Sequence, residues 1–441
     1  MKIYFPKVKY YIINDKFKLI FINTESNIFS ACITIDVGSI NEQPNELGLA
    51  HFFEHMIFKG TINKTSDEIL NQLDSIGAQY NASTSYDETK YYISGNKKDY
   101  KIILDILLDL FLNPIFPNKD IANEINVVLE EFRMNEDNKS KQTFIKLMEL
   151  IYKDTDPKYS IPVIGLPNNI INFTRDNLIK FYKSNYLKGN KILSIIGSAN
   201  EKEIINLICK NCNLDVKSIK PWNPEFNNLN SKLEIEYYKN NINKKLEIIN
   251  TPKLNQFIVT IAFRSINMYS KWSLVSELLE IILAGGMTSR LFILLRNKLG
   301  LTYYQSAFGK YFTSHGFFCI NYGVQPEGLY KSLDSVLKEI LFFKNIEITL
   351  DELDKSKNML ETSLLFNTET TTDIGSHIID SVINKLDPKY IKEIHTKLNK
   401  ITPKYITQFA TKIFKKSNMF IVINGDEKIN LDKINNIINT N

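Results

Sequence analysis

A short apolar segment of the chain carries two histidines with a glutamate between them. The segment "GLAHFFEHMIFKGT" spans residues 48–61 and contains His51, Glu54 and His55. On a helix, positions i and i+4 lie one turn apart on the same face, so His51 and His55 can present two imidazoles to one ion. A catalytic zinc site usually has three protein ligands and an open position for water. Glu54 lies one turn from His51 and can take a proton from water on the metal, so this spacing predicts a hydrolytic zinc site.

The alternative interpretation is a packed helix with two half-buried histidines that hydrogen-bond to neighbouring side chains. The whole chain has five histidines. At that content, a His-x-x-Glu-His pattern arises by chance in roughly a few chains per thousand. The pattern therefore favours the metal site over the packed helix.

The chain contains an internal repeat. "TIDVGSIN" at residues 34–41 is matched by "TIAFRSIN" at residues 260–267, and the two halves close alike, on "NKILSIIG" and "NMFIVING". Correspondences in the same order along the chain indicate a duplicated structural unit.

The second copy of the repeat lacks the histidines. Continued without a gap, the repeat places "HFFEHMIFKG" over "ELLEIILAGG", so Glu277 and Ile281 stand where the first copy has His51 and His55. Packing a helix against a sheet therefore does not require the histidines. This difference favours a function that belongs to the first half alone.

The repeat predicts two tandem α+β domains, at residues 1–215 and 233–441. Residues 216–232, "VKSIKPWNPEFNNLNSK", contain two prolines and an asparagine cluster, which are typical of a linker. Turn-linked strands such as "YYIINDKFKLIFI" indicate hairpins. Each domain is therefore expected to have a mostly antiparallel sheet with helices packed on one face.

Composition and charge exclude several classes of protein. The 441 residues carry a net charge of +5 with lysines and acids interspersed, so no nucleic-acid-binding face is predicted. Because the sequence shows no long apolar run and no secretory or import signal, we expect no membrane span and a cytoplasmic location. The four cysteines suggest no disulfide framework, and Cys209 and Cys212 in "CKNC" are more typical of incidental residues than of a zinc knuckle or a redox pair.

The order His-x-x-Glu-His is the inverted zinc motif of the inverzincins. With this motif, nearly the whole chain resembles the pitrilysin family, especially half-length members such as the β subunit of mitochondrial processing peptidase and bacterial processing-type proteases. The resemblance implies one Zn²⁺ per chain, with Glu131 in "NEINVVLEEFRMNEDN" as the third ligand. It also implies that Glu124, about two helical turns earlier on the same face, supports the ligands from outside, whereas Glu130 points elsewhere.

The resemblance also assigns a strand that binds the substrate. "NASTSYDETKYY" is similar to the family's edge strand, which pairs with the backbone of an extended peptide. The alternative is an ordinary strand. The residues implied to contact the peptide are Asn81, Ala82, Ser83 and Thr84.

Two residues of the second half match a further catalytic pair of the family. In "GGMTSRLFILLRNKLGLTYYQ", these are Arg296 and Tyr303, which would help to hold the substrate carbonyl. The alternative is an arginine on a helix surface and a tyrosine in the core. The chain departs from the mitochondrial enzyme at Lys141 and Ile145, where that enzyme has acids that bind arginine, so the resemblance does not extend to a strict arginine preference.

The function expected from the motif and the resemblance is that of a zinc metalloendopeptidase. Glu54 would be the general base on zinc-bound water, and the substrate would be an extended or unfolded peptide. Family members of this length pair, so we expect a homodimer or a heterodimer with a related chain. The alternative function is a partner-dependent or non-catalytic subunit of a heteromeric processing protease.

Overall fold

Two β-sheets, one from each half of the chain, organise the fold. The structure is a computed structural model that describes residues 5–230, 232, 245–426 and 428–441. The predicted start of the second domain at residue 233 lies outside the described residues. The domain boundaries therefore stay a prediction.

The first half forms a seven-stranded sheet. Its strands are β1 Val8–Asn14, β2 Phe17–Asn23, β3 Ile28–Ile35, β4 Gln79–Thr84, β5 Thr89–Asn96, β6 Lys191–Gly197 and β7 Lys220–Pro221. They lie in the order β4-β5-β3-β6-β2-β1-β7. All neighbours are antiparallel except β2 and β6, which are parallel. The strand β4, predicted to bind substrate, is at one edge.

Eight α-helices lie in the described part of the first half. They are α1 Leu49–Met56, α2 Ser66–Ser75, α3 Tyr100–Leu112, α4 Asn118–Asp137, α5 Lys139–Tyr152, α6 Pro167–Ile170, α7 Arg175–Phe181 and α8 Glu201–Cys212. The predicted histidine helix is α1, and α4 carries the predicted third ligand. All four cysteines of the chain are unbonded, including Cys209 and Cys212 on α8.

The second half repeats this arrangement around a five-stranded sheet. Its strands are β8 Leu246–Asn250, β9 Phe257–Ser265, β10 Thr302–Tyr311, β11 Gly316–Val324 and β12 Met419–Gly425. The order β10-β11-β9-β12-β8 matches β4-β5-β3-β6-β2, and here too the last pair, β12 with β8, is parallel. The helices are α9 Ser273–Ala284, α10 Leu329–Asn345, α11 Leu350–Phe366, α12 Thr371–Ile383, α13 Tyr390–Asn399, α14 Pro403–Ile413 and α15 Leu431–Thr440. The predicted duplication and the α+β fold class are confirmed. None of the helices in the described part of the chain combines the length and the apolarity needed to cross a bilayer.

Each sheet is covered on its second face by a helix from the other half. Side chains of α5, among them Met148 and Ile151, pack against Phe317 and Phe420 of the second sheet. Likewise, α12 of the second half packs against the first sheet. Its side chains Ile374 and Ile378 contact the strand residues Ile20, Ile22 and Ile196. The sequence predicted helices on one face only. The exchanged helices complete the burial of both sheets and hold the two halves together.

The predicted linker is partly ordered as a strand. Lys220 and Pro221 form β7, which pairs with Tyr11 and Ile12 of β1 and extends the first sheet. Proline is tolerated at this position because β7 is an edge strand and its outer side needs no donor.

The interface between α5 and the second sheet gives a test of this arrangement. Ile151 is fully buried there. We expect Ile151→Ala to lower the free energy of unfolding by about 2–5 kcal/mol, because it removes buried methyl groups and leaves a cavity. Denaturant titration measures the change. Ile62→Ala, at a side chain that is 75% exposed, is the matched control and should change stability little. Equal stability of the two variants would contradict the packing.

Candidate metal centre

The start of α1 is fixed by a glycine and a buried glutamate. Gly48 precedes the helix with a φ of +98°, and a Cβ there would lie 2.5 Å from the carbonyl oxygen of Ile164, so no other residue fits. The side-chain oxygens of Glu42 accept hydrogen bonds from the backbone N–H groups of Gly48 (2.8 Å) and Ala50 (2.7 Å). Burial raises the pKa of Glu42 to about 8, against the effect of these two hydrogen bonds.

Glu42 thus replaces the side-chain cap that Gly48 cannot provide. Glu42 could not be found from the sequence, because a glutamate six positions before the N-cap residue has no capping-box spacing. Its effect is to fix the helix that carries both histidines.

The side chains of α1 divide between two faces. Leu49, Phe52, Phe53 and Met56 are buried in the core of the first half, which leaves the histidines on the other side, half-buried. The ring centres of His51 and His55 are 4.7 Å apart. The apolar face therefore anchors the helix and the polar face is available for chemistry.

Glu131 of α4 meets both histidines. Its Oε2 lies 3.5 Å from His51 Nε2 and 3.5 Å from His55 Nε2. One donor atom from each of the three residues lies within 4.8 Å of the other two. Donor atoms at zinc-ligand distances of a tetrahedral ion are about 3.4 Å from one another. Two imidazoles and a carboxylate at these separations fit a zinc ion.

Glu124 and Lys59 support this cluster from outside. Glu124 Oε1 lies 2.8 Å from His55 Nδ1, and its Oε2 lies 2.7 Å from Lys59 Nζ. A carboxylate on Nδ1 holds the imidazole so that Nε2 faces Glu131. The prediction for Glu124 matches this contact. Lys59 was missed, although its place four residues after His55 on the continuing helical turn was a usable signal.

The surroundings shift the pKa values of the three clustered residues in different directions. Burial and the neighbouring His55 lower the pKa of His51 to about 4, which favours the neutral imidazole that metals bind. Burial opposes the charged form of His55, but hydrogen bonds with Glu124 and Glu131 prevail and raise its pKa to about 9. The hydrogen bond with His55 lowers the pKa of Glu131.

Glu54 stands beside the cluster without joining it. The hydroxyl of Thr84, the last residue of β4, donates a hydrogen bond of 2.6 Å to Glu54 Oε2. Burial raises the pKa of Glu54. The structure therefore brings the predicted base, the predicted ligands and the end of the predicted substrate strand to one place.

The strand β4 has an open edge. It pairs with β5 on one side, from Gln79 opposite Ser94 to Thr84 opposite Thr89, and no described strand lies on its other side. Exposed and partly buried residues alternate along it: Asn81 and Ser83 are exposed, and Ala82 and Thr84 are partly buried. An open edge that ends at Glu54 is a place where an extended peptide can add a strand.

The structure does not bring Arg296 and Tyr303 to the cluster. The Arg296 guanidinium lies 5.1 Å from the centre of the Tyr303 ring, so the two residues contact each other. Tyr303 is 77% exposed and is not a core residue. Among the described residues, neither has a hydrogen bond or ion pair with His51, His55 or Glu131.

Comparison with known proteins places the chain in a family. Residues 18–162 match the family "Insulinase (Peptidase family M16)", and residues 172–360 match "Peptidase M16 inactive domain". An uncharacterized zinc protease of Rickettsia felis is 30% identical over 375 residues, which cover 82% of this chain and 84% of the relative. The chain belongs to peptidase family M16.

Two further proteins show how far the similarity extends. The β subunit of human mitochondrial-processing peptidase is 29% identical over 187 residues, 42% of this chain and 38% of that protein. A protease from Helicobacter pylori has a similar fold, with a TM-score of 0.80 and 22% identity over 95% of this chain and 99% of that one. The first similarity concerns less than half of each chain, and the second shows likeness of fold.

The geometry predicts the effect of removing the third ligand. Glu131→Gln should lose zinc, because an amide is a weak zinc ligand and leaves only two strong donors. Elemental analysis of the purified protein measures metal per chain. Glu130→Gln is the matched control, since Glu130 is exposed and paired with Arg133. Zinc retained at one per chain in Glu131→Gln would contradict the ligand assignment.

Glu124 should have a weaker effect than Glu131. Because Glu124 contacts His55 without being placed as a ligand, we expect Glu124→Gln to keep zinc with an affinity lowered about 10–100-fold. Competition with a chelating dye measures this affinity. An unchanged affinity would show that the contact with His55 does not support the metal.

Proposed function

We propose that the protein is a zinc-dependent endopeptidase that hydrolyses peptide bonds in extended or unfolded peptides. One observation carries the proposal: the donor atoms of His51, His55 and Glu131 converge beside Glu54, which is held by the last residue of an open edge strand. One Zn²⁺ per chain would be held by these three residues. Membership of a family of zinc proteases supports the proposal.

Bound zinc would supply the Lewis acidity that polarises a peptide carbonyl and lowers the pKa of water. Glu54 would act as general base and then pass the proton to the leaving amine. Its raised pKa suits a group that must both accept and release a proton. The hydroxyl of Thr84 donates a hydrogen bond to Oε2 of Glu54 and would hold the carboxylate in place for this transfer.

The substrate would lie along β4. Asn81, Ala82, Ser83 and Thr84 would bind its backbone through strand addition, which demands little of the peptide sequence. Since β4 ends at the hydrogen bond between Thr84 and Glu54, a peptide on this edge passes the base. This placement favours extended or unfolded peptides over folded proteins.

Arg296 and Tyr303 would stabilise the developing oxyanion from a second chain. Tyr303 is exposed, and no described hydrogen bond or ion pair joins the pair to the cluster of its own chain, which supports a role across an interface. We propose a homodimer, or a heterodimer with a related chain, in which one subunit completes the site of the other. A cytoplasmic location remains our expectation from the sequence.

The second candidate is a partner-dependent or non-catalytic subunit of a heteromeric processing protease. Two observations favour it: no described hydrogen bond or ion pair joins Arg296 or Tyr303 to the cluster, and residues 172–360 match a domain described as inactive. A zinc-loaded chain that is monomeric and inactive alone would support this candidate.

Cleavage of a mixed library of unstructured peptides tests the proposed activity. Products are read by mass spectrometry for the wild type, the chelator-treated wild type and Glu54→Gln. We expect Glu54→Gln to keep zinc and to lose turnover by about 10²–10⁴-fold, because proton transfer loses its base. Cleavage by Glu54→Gln at the wild-type rate would contradict the role of Glu54.

A further inference from the structure

A lysine and an asparagine extend the polar face of α4 beyond the metal centre. Asn135 follows Glu131 by one helical turn and shares its face. Its Oδ1 accepts a hydrogen bond of 2.6 Å from the ammonium of Lys141, which comes from the first turn of α5. The pair therefore sits where α4 ends and α5 begins, next to the proposed metal ligands.

The charge of Lys141 has no carboxylate partner. Its side chain is exposed, and no ion pair among the described residues includes it. The neighbouring cations differ, because Lys59 is paired with Glu124 and Arg133 with Glu130. Lys141 is thus available to an anion from outside the chain.

The field of Lys141 reaches the metal centre. Besides the larger effects of burial and neighbouring groups, Lys141 helps to lower the pKa of both His51 and Glu131. Glu124 is already paired with Lys59, and Glu131 would be neutralised by a bound zinc. These carboxylates therefore do not cancel the attraction of Lys141 for an anion.

Asn135 adds donor capacity at the same place. Its Nδ2 is buried and has no hydrogen-bond partner in the structure as described. Buried donors are rarely left without an acceptor in native proteins. An acceptor group drawn to the ammonium would lie close to this amide, since Nδ2 belongs to the amide whose oxygen already binds Lys141.

We propose that Lys141 and Asn135 form a carboxylate-binding subsite beside the metal centre, so that the enzyme selects peptides with an acidic group near the bond to be cut. Pairing of an ammonium with a carboxylate is the strongest contact this donor set can make. The carboxylate is either an Asp or Glu side chain or the C-terminus of the peptide. This inference rests on the proposed function for its substrate, a peptide.

Peptide binding to the Glu54→Gln protein tests the subsite without turnover. The probes are fluorescent peptides that differ only by Glu, Gln or Lys at one scanned position, each made with a free and an amidated C-terminus. Fluorescence anisotropy at low salt measures affinity. We expect the best acidic peptide to bind about three- to tenfold more tightly than its neutral match, and the gain to shrink as salt is added.

Variants of Lys141 in the Glu54→Gln protein test whether Lys141 causes the preference for acidic peptides. Lys141→Met should remove it, and Lys141→Glu should reverse it in favour of peptides with Lys at that position. Lys153→Glu is the matched control, because Lys153 lies at the other end of α5, about 18 Å along the helix axis, and should leave the preference unchanged.

The two sources of the carboxylate give different patterns. A gain from internal Glu assigns the subsite to an acidic side chain, and a gain that amidation alone removes assigns it to the peptide C-terminus. Equal binding of all peptides, no measurable binding of any peptide, or a preference that survives Lys141→Glu would overturn the proposal.

Failure of the proposed function would be seen separately. If the wild type cleaves none of these peptides while the Lys141-dependent preference is present, the subsite stands and the endopeptidase does not. If the wild type cleaves acidic and neutral peptides alike, and their affinities are equal, the endopeptidase stands and the subsite is wrong.

Discussion

The meeting of α1 and α4 is the constraint on which the rest of the site depends. The histidines of α1 lie one turn apart and can offer only two donors, so the third must come from a helix that is distant in sequence. Glu131 lies where it can provide this donor, and Glu124 on the same face of α4 contacts Nδ1 of His55. Each helix must therefore be fixed both in its rotation about its own axis and in its position relative to the other helix. Gly48 and Glu42 hold the start of α1, and its buried apolar face fixes its rotation.

Comparison of the two duplicated halves separates the residues that the fold requires from those that belong only to the candidate metal site. The second half keeps the strand order and the helix α9 without the histidines, so these residues are not a requirement of packing. Exchange of α5 and α12 between the halves makes each sheet depend on the other half of the chain. The start of α5, with Lys141, adjoins the end of α4 because only Asn138 separates the two helices. The helix that joins the halves therefore also borders the candidate metal centre.

The features of the fold and the site that the sequence predicted are those that depend on residues close together in the chain, on the repeat, or on the family resemblance. The spacing of His51, Glu54 and His55 defines one helix face, and the repeat predicted two similar sheets. Glu124 and Glu131 came from the resemblance, since nothing local links them to α1. Glu42 and the hydrogen bond from Thr84 to Glu54 are tertiary contacts of single side chains, which no periodicity reveals. The exchange of α5 and α12 was missed because an apolar helix face does not say which sheet it covers.

We propose that His51, His55 and Glu131 hold one zinc ion, and zinc-edge anomalous diffraction from crystals of the zinc-loaded protein tests this assignment. We predict a single strong peak about 2.0–2.2 Å from Nε2 of both histidines and from a carboxylate oxygen of Glu131, with Glu54 outside the coordination sphere. A peak elsewhere, or a zinc bound by Glu54 in place of Glu131, would contradict it.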